Sequence, residues 1–145
     1  MARNTLRLDT SGFEAMLRKL DSLGGDVKKA TEDALKQASE TISEDTVDAL
    51  SDANLPARGK YSHGATKESI IQDHRVTWEG LVGWVPVGFD FSKAGAGGFL
   101  ISGTPKMRPD QALRKMYKQK RYMLQIQSDI GDVLADYVVE AMERG

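Results

Sequence analysis

The sequence predicts an α+β fold in which a small antiparallel sheet, formed by a hairpin, packs against long N-terminal and C-terminal helices. Apolar residues recur at steps of three and four over residues 26–53 and again over residues 122–144, which is the helical period. Between them, residues 74–78 and 81–87 are rich in β-branched and aromatic side chains and flank a two-residue turn signal. Helices therefore precede and follow a hairpin, which is the order expected of an α+β domain.

The N-terminal residues predict a short edge strand followed by a helix. Apolar and polar residues alternate in Thr5-Leu6-Arg7-Leu8, as is typical of a strand. Ser11 and Glu14 have the spacing of a capping box, so a helix is expected to start at Ser11. The pair Gly24-Gly25 is expected to end that helix, because glycine adopts the backbone conformation common after a last helical turn.

The longest predicted helix runs from Asp26 to about Ala53 without a glycine or proline. A helix of this length is about 40 Å long at a rise of about 1.5 Å per residue. Its small apolar residues allow close approach of another helix or a sheet, and its acidic side chains cover the remaining face. The residues predicted to face the core are Val27, Ala30, Ala34, Leu35, Ala38, Ile42, Ala49 and Leu50.

Two segments in the middle of the chain predict mobile loops. Residues 54–65 combine a proline, two glycines and polar residues without any period, and residues 88–104 are glycine-rich. Thr66 is expected to cap a single helical turn over residues 66–71. Glu79-Gly80 is expected to be the hairpin turn, with Val76 and Trp78 on one face of the first strand. Pro86 lacks an N–H group, which places its end of the second strand at an edge or a bulge.

The C-terminal third predicts a short helix over Asp110–Met116 and a longer one over Tyr122–Arg144. Aspartates and Glu140 lie outside the apolar stripe of the longer helix and are expected to form a solvated face. The residues of that stripe are Ile126, Ile130, Val133, Leu134, Tyr137, Val138, Ala141 and Met142.

Composition argues against an enzyme. The chain of 145 residues forms one predicted domain, residues 1–145, and has no cysteine and two histidines, His63 and His74. Disulfides and cysteine nucleophiles are thereby excluded, and no ligand set for a metal is recognisable. The run Gly95–Gly98 lacks the Gly-Lys-Ser/Thr ending of a phosphate-binding loop, so it predicts a flexible loop or a close approach of another backbone. We expect no catalytic residue, cofactor or metal, and no membrane contact, because no apolar run reaches about 18 residues.

Charge is segregated along the chain although 20 basic residues nearly balance 21 acidic ones. Residues 1–53 and 123–145 each carry a net charge of -4, while residues 105–122 carry +6. Two interpretations stay open: the cations, interleaved with Tyr117 and Tyr122, contact DNA phosphates, or they form an exposed surface that can pair with an acidic helix of a neighbouring subunit. The candidate interface or DNA-facing residues are Lys106, Arg108, Arg114, Lys115, Lys118, Lys120 and Arg121.

A block of motifs between residues 87 and 109 resembles the tail-completion (neck, head–tail joining) proteins of long-tailed bacteriophages. It begins with Val87-Gly88-Phe89-Asp90-Phe91-Ser92-Lys93, continues through Phe99-Leu100-Ile101, and ends with Gly103-Thr104-Pro105-Lys106-Met107. The order of predicted elements is also similar to that family over most of the chain. The motif residues are Gly88, Phe89, Asp90, Gly103, Thr104, Pro105 and Met107.

The resemblance implies a structural virion protein that joins the capsid connector to the tail tube during assembly. It implies a place in the phage neck or tail after synthesis in the bacterial cytoplasm, and a homo-oligomeric ring, with a hexamer as one option. The implied partners are the connector or stopper and the tail terminator or tail tube proteins, with genomic DNA in the channel. The alternative is a DNA-binding accessory protein that uses residues 105–122.

Overall fold

A computed structural model describes residues 5–90, 93, 95–105 and 108–144, and the fold is α+β as predicted. The strands form one antiparallel sheet in the order β1-β3-β2. The strands are β1 (Thr5–Asp9), β2 (Thr77–Glu79) and β3 (Val82–Gly88). The helices are α1 (Glu14–Ser22), α2 (Val27–Ser51), α3 (His63–Glu68), α4 (Gly97–Ser102), α5 (Gln111–Tyr117) and α6 (Lys120–Arg144).

The predicted N-terminal strand is confirmed as an edge strand, but the predicted capping box is wrong. Strand β1 pairs with β3 alone. The Ser11 hydroxyl donates to Asp9 Oδ1 at 2.7 Å, and the Ser11 N–H donates to the same atom at 3.2 Å. Because the Asp9 carboxylate takes both donors, Ser11 does not cap a helix, and residues Ser11–Phe13 form a 3-10 turn before α1 begins at Glu14.

Helix α2 begins and ends close to the predicted residues. Gly24 ends α1 with φ at +77°, a conformation that favours glycine. Two residues later the Asp26 carboxylate accepts from the Lys29 N–H at 3.0 Å and caps α2. The predicted core positions are buried or partly buried, and the helix also buries three hydroxyl-bearing side chains that the apolar pattern did not select: Thr31, Ser39 and Thr46.

The hairpin is confirmed, with its turn one residue later than predicted. Glu79 pairs with Val82, so Gly80 and Leu81 form the loop, and Gly80 has φ at +67°. Val76 and Trp78 share a face as predicted, since a Cβ atom added at Gly83 would lie 2.8 Å from Val76 Cγ1 and 3.4 Å from Trp78 Cζ3.

Pro86 lies in the central strand rather than in an edge strand. It pairs with Arg7 of β1, whereas β2 reaches only as far as the Thr77–Trp84 pair. The Thr10 N–H donates to the Gly83 carbonyl, and hydrogen-bonded pairs alternate along an antiparallel ladder. At Pro86 the backbone nitrogen therefore points away from β1, to the side of β3 where β2 has ended. The missing N–H group costs no ladder hydrogen bond there.

Helix α2 packs against strand β3 on one side and helix α6 on another. Two tyrosines fix the antiparallel arrangement of the helices: Tyr122 donates to Asp45 Oδ2 at 2.7 Å, and Tyr137 donates to Asp33 Oδ2 at 3.1 Å. The N-terminal end of α6 therefore lies beside the C-terminal half of α2. The α2 core also contacts α5, through Thr46 and Tyr117.

Two short helices lie partly or wholly in segments where the sequence predicts loops. Helix α3 starts at His63 and is capped by Ser62, whose hydroxyl accepts from the Ala65 N–H at 3.1 Å, so the prediction that Thr66 is the cap is wrong. Helix α4 occupies residues 97–102 within the glycine-rich segment. The predicted loops 54–65 and 88–104 thus contain helical residues at 63–65 and 97–102, and their mobility stays a prediction.

The two C-terminal helices are confirmed. Asp110 caps α5 by accepting from the Leu113 N–H at 3.0 Å. In α6 the predicted stripe is buried or partly buried except at its last member, because Met142 is 56% exposed. Among the described residues, none of the helices is long and apolar enough to cross a membrane.

Candidate interaction surface

The segment that carries the first motif residues is attached to the residues just after α3. Ile70 and Phe89 form an isolated antiparallel bridge. On one side of it the Ile71 N–H donates to the Gly88 carbonyl at 2.8 Å, and on the other the Asp90 N–H donates to the Ser69 carbonyl at 2.7 Å. These three contacts extend the chain beyond β3 along the residues that follow α3.

A second set of contacts holds the glycine-rich residues against α3. The Ala96 N–H donates to the buried Thr66 Oγ1 at 2.8 Å. Gly95 has φ at +142°, and a Cβ atom added there would lie 2.9 Å from Thr66 Cα and 2.9 Å from Ser69 Oγ. Of the two predictions for these glycines, the close approach of another backbone is the one observed at Gly95.

Phe89 is the centre of the buried part of this region. A Cβ atom added at Gly97 would collide with the Phe89 ring, so the first turn of α4 lies directly against that ring. The Tyr117 ring lies on Phe89 with centroids 5.9 Å apart. The Tyr117 hydroxyl is 2.7 Å from Thr46 Oγ1, which itself donates to the Ile42 carbonyl, so Tyr117 donates to Thr46. Burial raises the pKa of Tyr117 to about 12.

Above this buried part, two exposed aromatic side chains bring the two predicted loops together. The Tyr61 and Phe99 rings meet edge to face with centroids 5.5 Å apart, and the side chains are 42% and 43% exposed. Lys60 Nζ lies 5.1 Å from the Tyr61 ring centroid, within the range of a cation–π contact. Adjacent exposed apolar side chains are typical of interaction sites.

Basic side chains continue from this aromatic pair along α5 and into α6. The Asp110 N–H donates to the Leu100 carbonyl at 2.6 Å, which joins α5 to the residue after Phe99. All of the described basic residues of the candidate set are exposed, and none forms an ion pair with another described residue. We call the following group the basic end: Tyr61, Phe99, Arg58, Lys60, Arg108, Arg114, Lys115, Lys118, Lys120 and Arg121. Lys106 lies outside the described residues.

The two tyrosines of the basic segment do not belong to this surface. Tyr117 is buried, with its hydroxyl on Thr46, and Tyr122 is half-buried, with its hydroxyl on Asp45. Burial raises the pKa of Tyr122, and the hydrogen bond to Asp45 raises it further. The interleaving of tyrosines with cations therefore reflects helix packing, because the tyrosines face α2 while the cations face solvent.

The motif residues divide between core and surface. Gly88 and Phe89 are buried and Asp90 is half-buried, while Thr104 and Pro105 are exposed just after α4. Gly103 ends α4 with φ at +76°. Met107 lies outside the described residues. The first half of the motif thus builds the support beneath α4, and the second half ends that helix.

Neither histidine belongs to a metal cluster. Within the described part of the chain, no three Asp, Glu or His side chains lie together as a metal site requires. His74 is half-buried beside α2, and burial lowers its pKa. That the chain has no catalytic residue stays a prediction.

Sequence reasoning selected the cations between residues 108 and 121 but missed Arg58, Lys60, Tyr61 and Phe99. The available signal was Tyr61, the single aromatic residue of segment 54–65, and Phe99, the aromatic residue directly after the run Gly95–Gly98. Comparison with protein-family models, with curated proteins and with solved structures found no match.

Proposed function

We propose that the protein is a structural component of a bacteriophage neck or tail that joins the capsid connector to the tail tube during assembly. The observation that carries the proposal is the exposed contact between Tyr61 and Phe99 at the basic end. It couples the loop before α3 to the segment whose residues resemble the tail-completion proteins. The resemblance supplies the class of function, and the aromatic pair supplies a docking site for a neighbouring protein.

In this proposal, a partner at the connector or the tail buries the two aromatic rings. Aromatic side chains at the centre of an interface contribute a large share of binding energy once water is excluded from them. The surrounding cations raise the rate of encounter with an acidic partner surface and orient it. Residues 54–60 contain no helix or strand, so in this proposal they adjust on docking, while the contact of Tyr61 with Phe99 is already formed.

Placement in a ring follows from the same proposal. The basic end lies beside the C-terminal half of α2, while Asp136, Glu140 and Glu143 are exposed on α6 toward its opposite end. Copies that contact one another through different surfaces form closed rings when the rotation between them closes. We propose such a ring around the DNA channel.

Deletion of the gene from the phage tests the proposed function. The expected lysate contains full heads and complete tails as separate particles under the electron microscope. Wild-type protein supplied from a plasmid should restore joined particles, which controls for polar effects on neighbouring genes. Normal infectious particles in the deletion lysate would exclude a joining role.

A second candidate, a DNA-binding accessory protein, is favoured by one observation. The six described cations between residues 108 and 121 are exposed and have no ion-pair partner among the described residues. Each cation that contacts a phosphate releases counterions, so binding should weaken steeply with salt. A gel-shift or anisotropy titration with duplex DNA at low and high salt tests this candidate, and no binding at low salt would exclude it.

A further inference from the structure

The chain leaves the sheet between Ile71 and Thr77. Along β3, the Gly88 carbonyl accepts from the Ile71 N–H at 2.8 Å, and Trp84 pairs with Thr77. Gly88 lies four residues from Trp84, whereas Ile71 lies six residues from Thr77. The intervening segment therefore has two residues too many to follow the ladder, and it bulges out of the sheet. We call residues 72–76 the strap.

Two side chains hold the strap against the rest of the protein. His74 and Val76 are half-buried, and Val76 packs against the hydrophobic core. The other three strap residues, Gln72, Asp73 and Arg75, are exposed. Asp73 and Arg75 form an ion pair at 3.0 Å on that exposed side. His74 lies in the middle of the strap, so its contacts decide whether the strap stays attached between its two ends.

The imidazole of His74 is suited to its neutral form. Its Nε2 atom is buried and has no hydrogen-bond partner among the described residues. The backbone of Ile71 forms a hydrogen bond with the ring, which Nδ1 makes because Nε2 is unpartnered, and the charged groups near the ring are Glu40 of α2 and Asp73. Protonation adds a second N–H donor at Nε2, where the described residues provide no acceptor.

We infer that the strap is a pH-sensitive segment that lies against α2 while His74 is neutral and detaches when His74 is protonated. Burial lowers the pKa of His74 from its ordinary value of 6.5, and this effect outweighs the opposite effects of the Ile71 backbone, Asp73 and Glu40. A detached strap exposes the imidazole to water and binds a proton more readily than an attached one. Attachment is therefore complete above about pH 6.5 and weakens as the pH falls below it.

Detachment of the strap would also affect the support of the basic end. Ile71, directly before the strap, donates to the Gly88 carbonyl, and the Asp90 N–H donates to the Ser69 carbonyl. Between these two bonds lies Phe89, whose ring is packed under α4. Acid should therefore loosen these bonds before it unfolds the long helices, which contain no histidine. This pH dependence goes beyond the proposed function, which does not require it.

NMR spectroscopy of the purified protein tests the inference. The chain has two histidines, so His63→Asn leaves one imidazole and assigns the signals of His74. That imidazole should titrate below pH 6.5. Between about pH 7.5 and 5, protection from hydrogen exchange at the Ile71 and Thr77 amides, corrected for the intrinsic effect of pH, should fall several-fold. The amide of Ala38, in the buried part of α2, should keep its protection.

Three variants identify the group responsible. His74→Asn should remove the acid-induced loss of protection, because asparagine does not titrate in this range. His63→Asn is the matched control and should lose protection as the wild type does. Glu40→Gln should lose more, since Glu40 favours the protonated imidazole.

Four results would each overturn the inference. They are constant protection at Ile71 and Thr77 in the wild type, an equal loss in His74→Asn, an imidazole that titrates at or above pH 6.5, and an equal loss at Ala38, which would indicate global unfolding. The imidazole titration and the wild-type exchange need no His74 variant, so they test the strap even if His74→Asn does not fold.

Discussion

The rings of Tyr61 and Phe99 meet edge to face, 5.5 Å apart, although one belongs to the loop before α3 and the other to α4. Beneath them, the Ala96 N–H donates to Thr66 Oγ1 and the Phe89 ring fills the space under Gly97. The two exposed rings therefore lie above a well-packed part of the core. Such a feature can bind a partner without the cost of ordering its own side chains first.

Replacing both exposed rings is expected to abolish joining without unfolding the protein. Tyr61→Ala and Phe99→Ala together should lower the free energy of unfolding by about 1–3 kcal/mol, less than two core substitutions, because both rings are partly exposed. The same double variant should fail to restore joined particles when it is supplied to a deletion phage. Val139→Ala, an exposed apolar change on α6, is the control and should restore them. Full complementation by the double variant would show that the aromatic pair is not the docking site.

The Thr46–Tyr117 hydrogen bond predicts an asymmetric pair of substitutions. Thr46→Val leaves the buried Tyr117 hydroxyl without its acceptor and should cost about 1–3 kcal/mol in urea unfolding. Tyr117→Phe should cost less, about 0.5–1.5 kcal/mol, because Thr46 keeps its bond to the Ile42 carbonyl. In the Tyr117→Phe background, Thr46→Val should cost less than in the wild type. If the losses of unfolding free energy in the two single variants simply add in the double variant, the Thr46–Tyr117 hydrogen bond is contradicted.

Tyr117 also predicts a loss of stability at alkaline pH. Burial raises its pKa from 10.0 to about 12, so the unfolded chain releases this proton first as the pH rises. The stabilisation is complete below pH 10 and is lost between about pH 10 and 12, a change of about 2–3 kcal/mol. Urea unfolding measured across this range should show a shallower decline in Tyr117→Phe. An identical decline in both proteins would exclude this contribution.

Two glycines in short helices predict opposite effects of the same substitution. Gly97→Ala should destabilise the protein by about 1–3 kcal/mol, because the added methyl group collides with the Phe89 ring. Gly64→Ala should stabilise it by about 0.5–1 kcal/mol, since its nearest atom is 4.0 Å from the added Cβ and alanine favours a helix. Thermal unfolding of both variants checks the sign. A stabilising Gly97→Ala would contradict the packing of α4 on Phe89.

The cations at the C-terminal end of α5, Lys115 and the following Lys118, predict the salt dependence of any DNA binding. If the basic end contacts DNA, Lys115→Gln and Lys118→Gln should each reduce the slope of log affinity against log salt by about 1. Lys36→Gln, on the exposed part of α2, is the control and should leave the slope unchanged. Equal effects of all three substitutions would indicate nonspecific attraction rather than contact at the basic end.

The long helices could be predicted from the sequence because local pattern and tertiary packing agree there. Residues such as Ala34 and Ile130 recur at the helical period and are buried in the structure. Met142 follows Val138 at a step of four, but it lies about 120° around the helix from the buried side that contains Ile130 and Ala141, and it is exposed. Periodicity indicates a helix but does not show how wide its buried side is.

The wrong predictions concern positions where two nearby side chains can each make a capping hydrogen bond, or where one side chain has two possible partners. Ser11 and Glu14 have capping-box spacing, but Asp9 offers a nearer acceptor to the Ser11 hydroxyl. Ser62 and Thr66 both have a hydroxyl group able to cap a helix. In the structure Ser62 is the cap, and the Thr66 hydroxyl accepts from the Ala96 N–H instead. Such choices depend on residues distant in sequence.

Helix α4 and the aromatic pair could not be predicted for a related reason. Gly97 and Gly98 disfavour a helix locally, but the missing side chain at Gly97 is what lets α4 lie on Phe89. Phe99 then points to solvent beside Tyr61, a pairing between two segments that have no common period. The cations of residues 108–121 could be predicted because they are clustered in sequence, whereas Arg58, Lys60 and the aromatic pair join them only through the fold.

Restoration of infectivity in vitro tests the joining role most directly. Full heads and complete tails isolated from a deletion lysate are mixed with the purified wild-type protein, and infectious titre is measured against a mixture without it. We predict that the wild-type protein raises the titre and that the Tyr61→Ala/Phe99→Ala double variant does not. A titre that the wild-type protein leaves unchanged, with both particle types intact, would contradict a role in joining heads to tails.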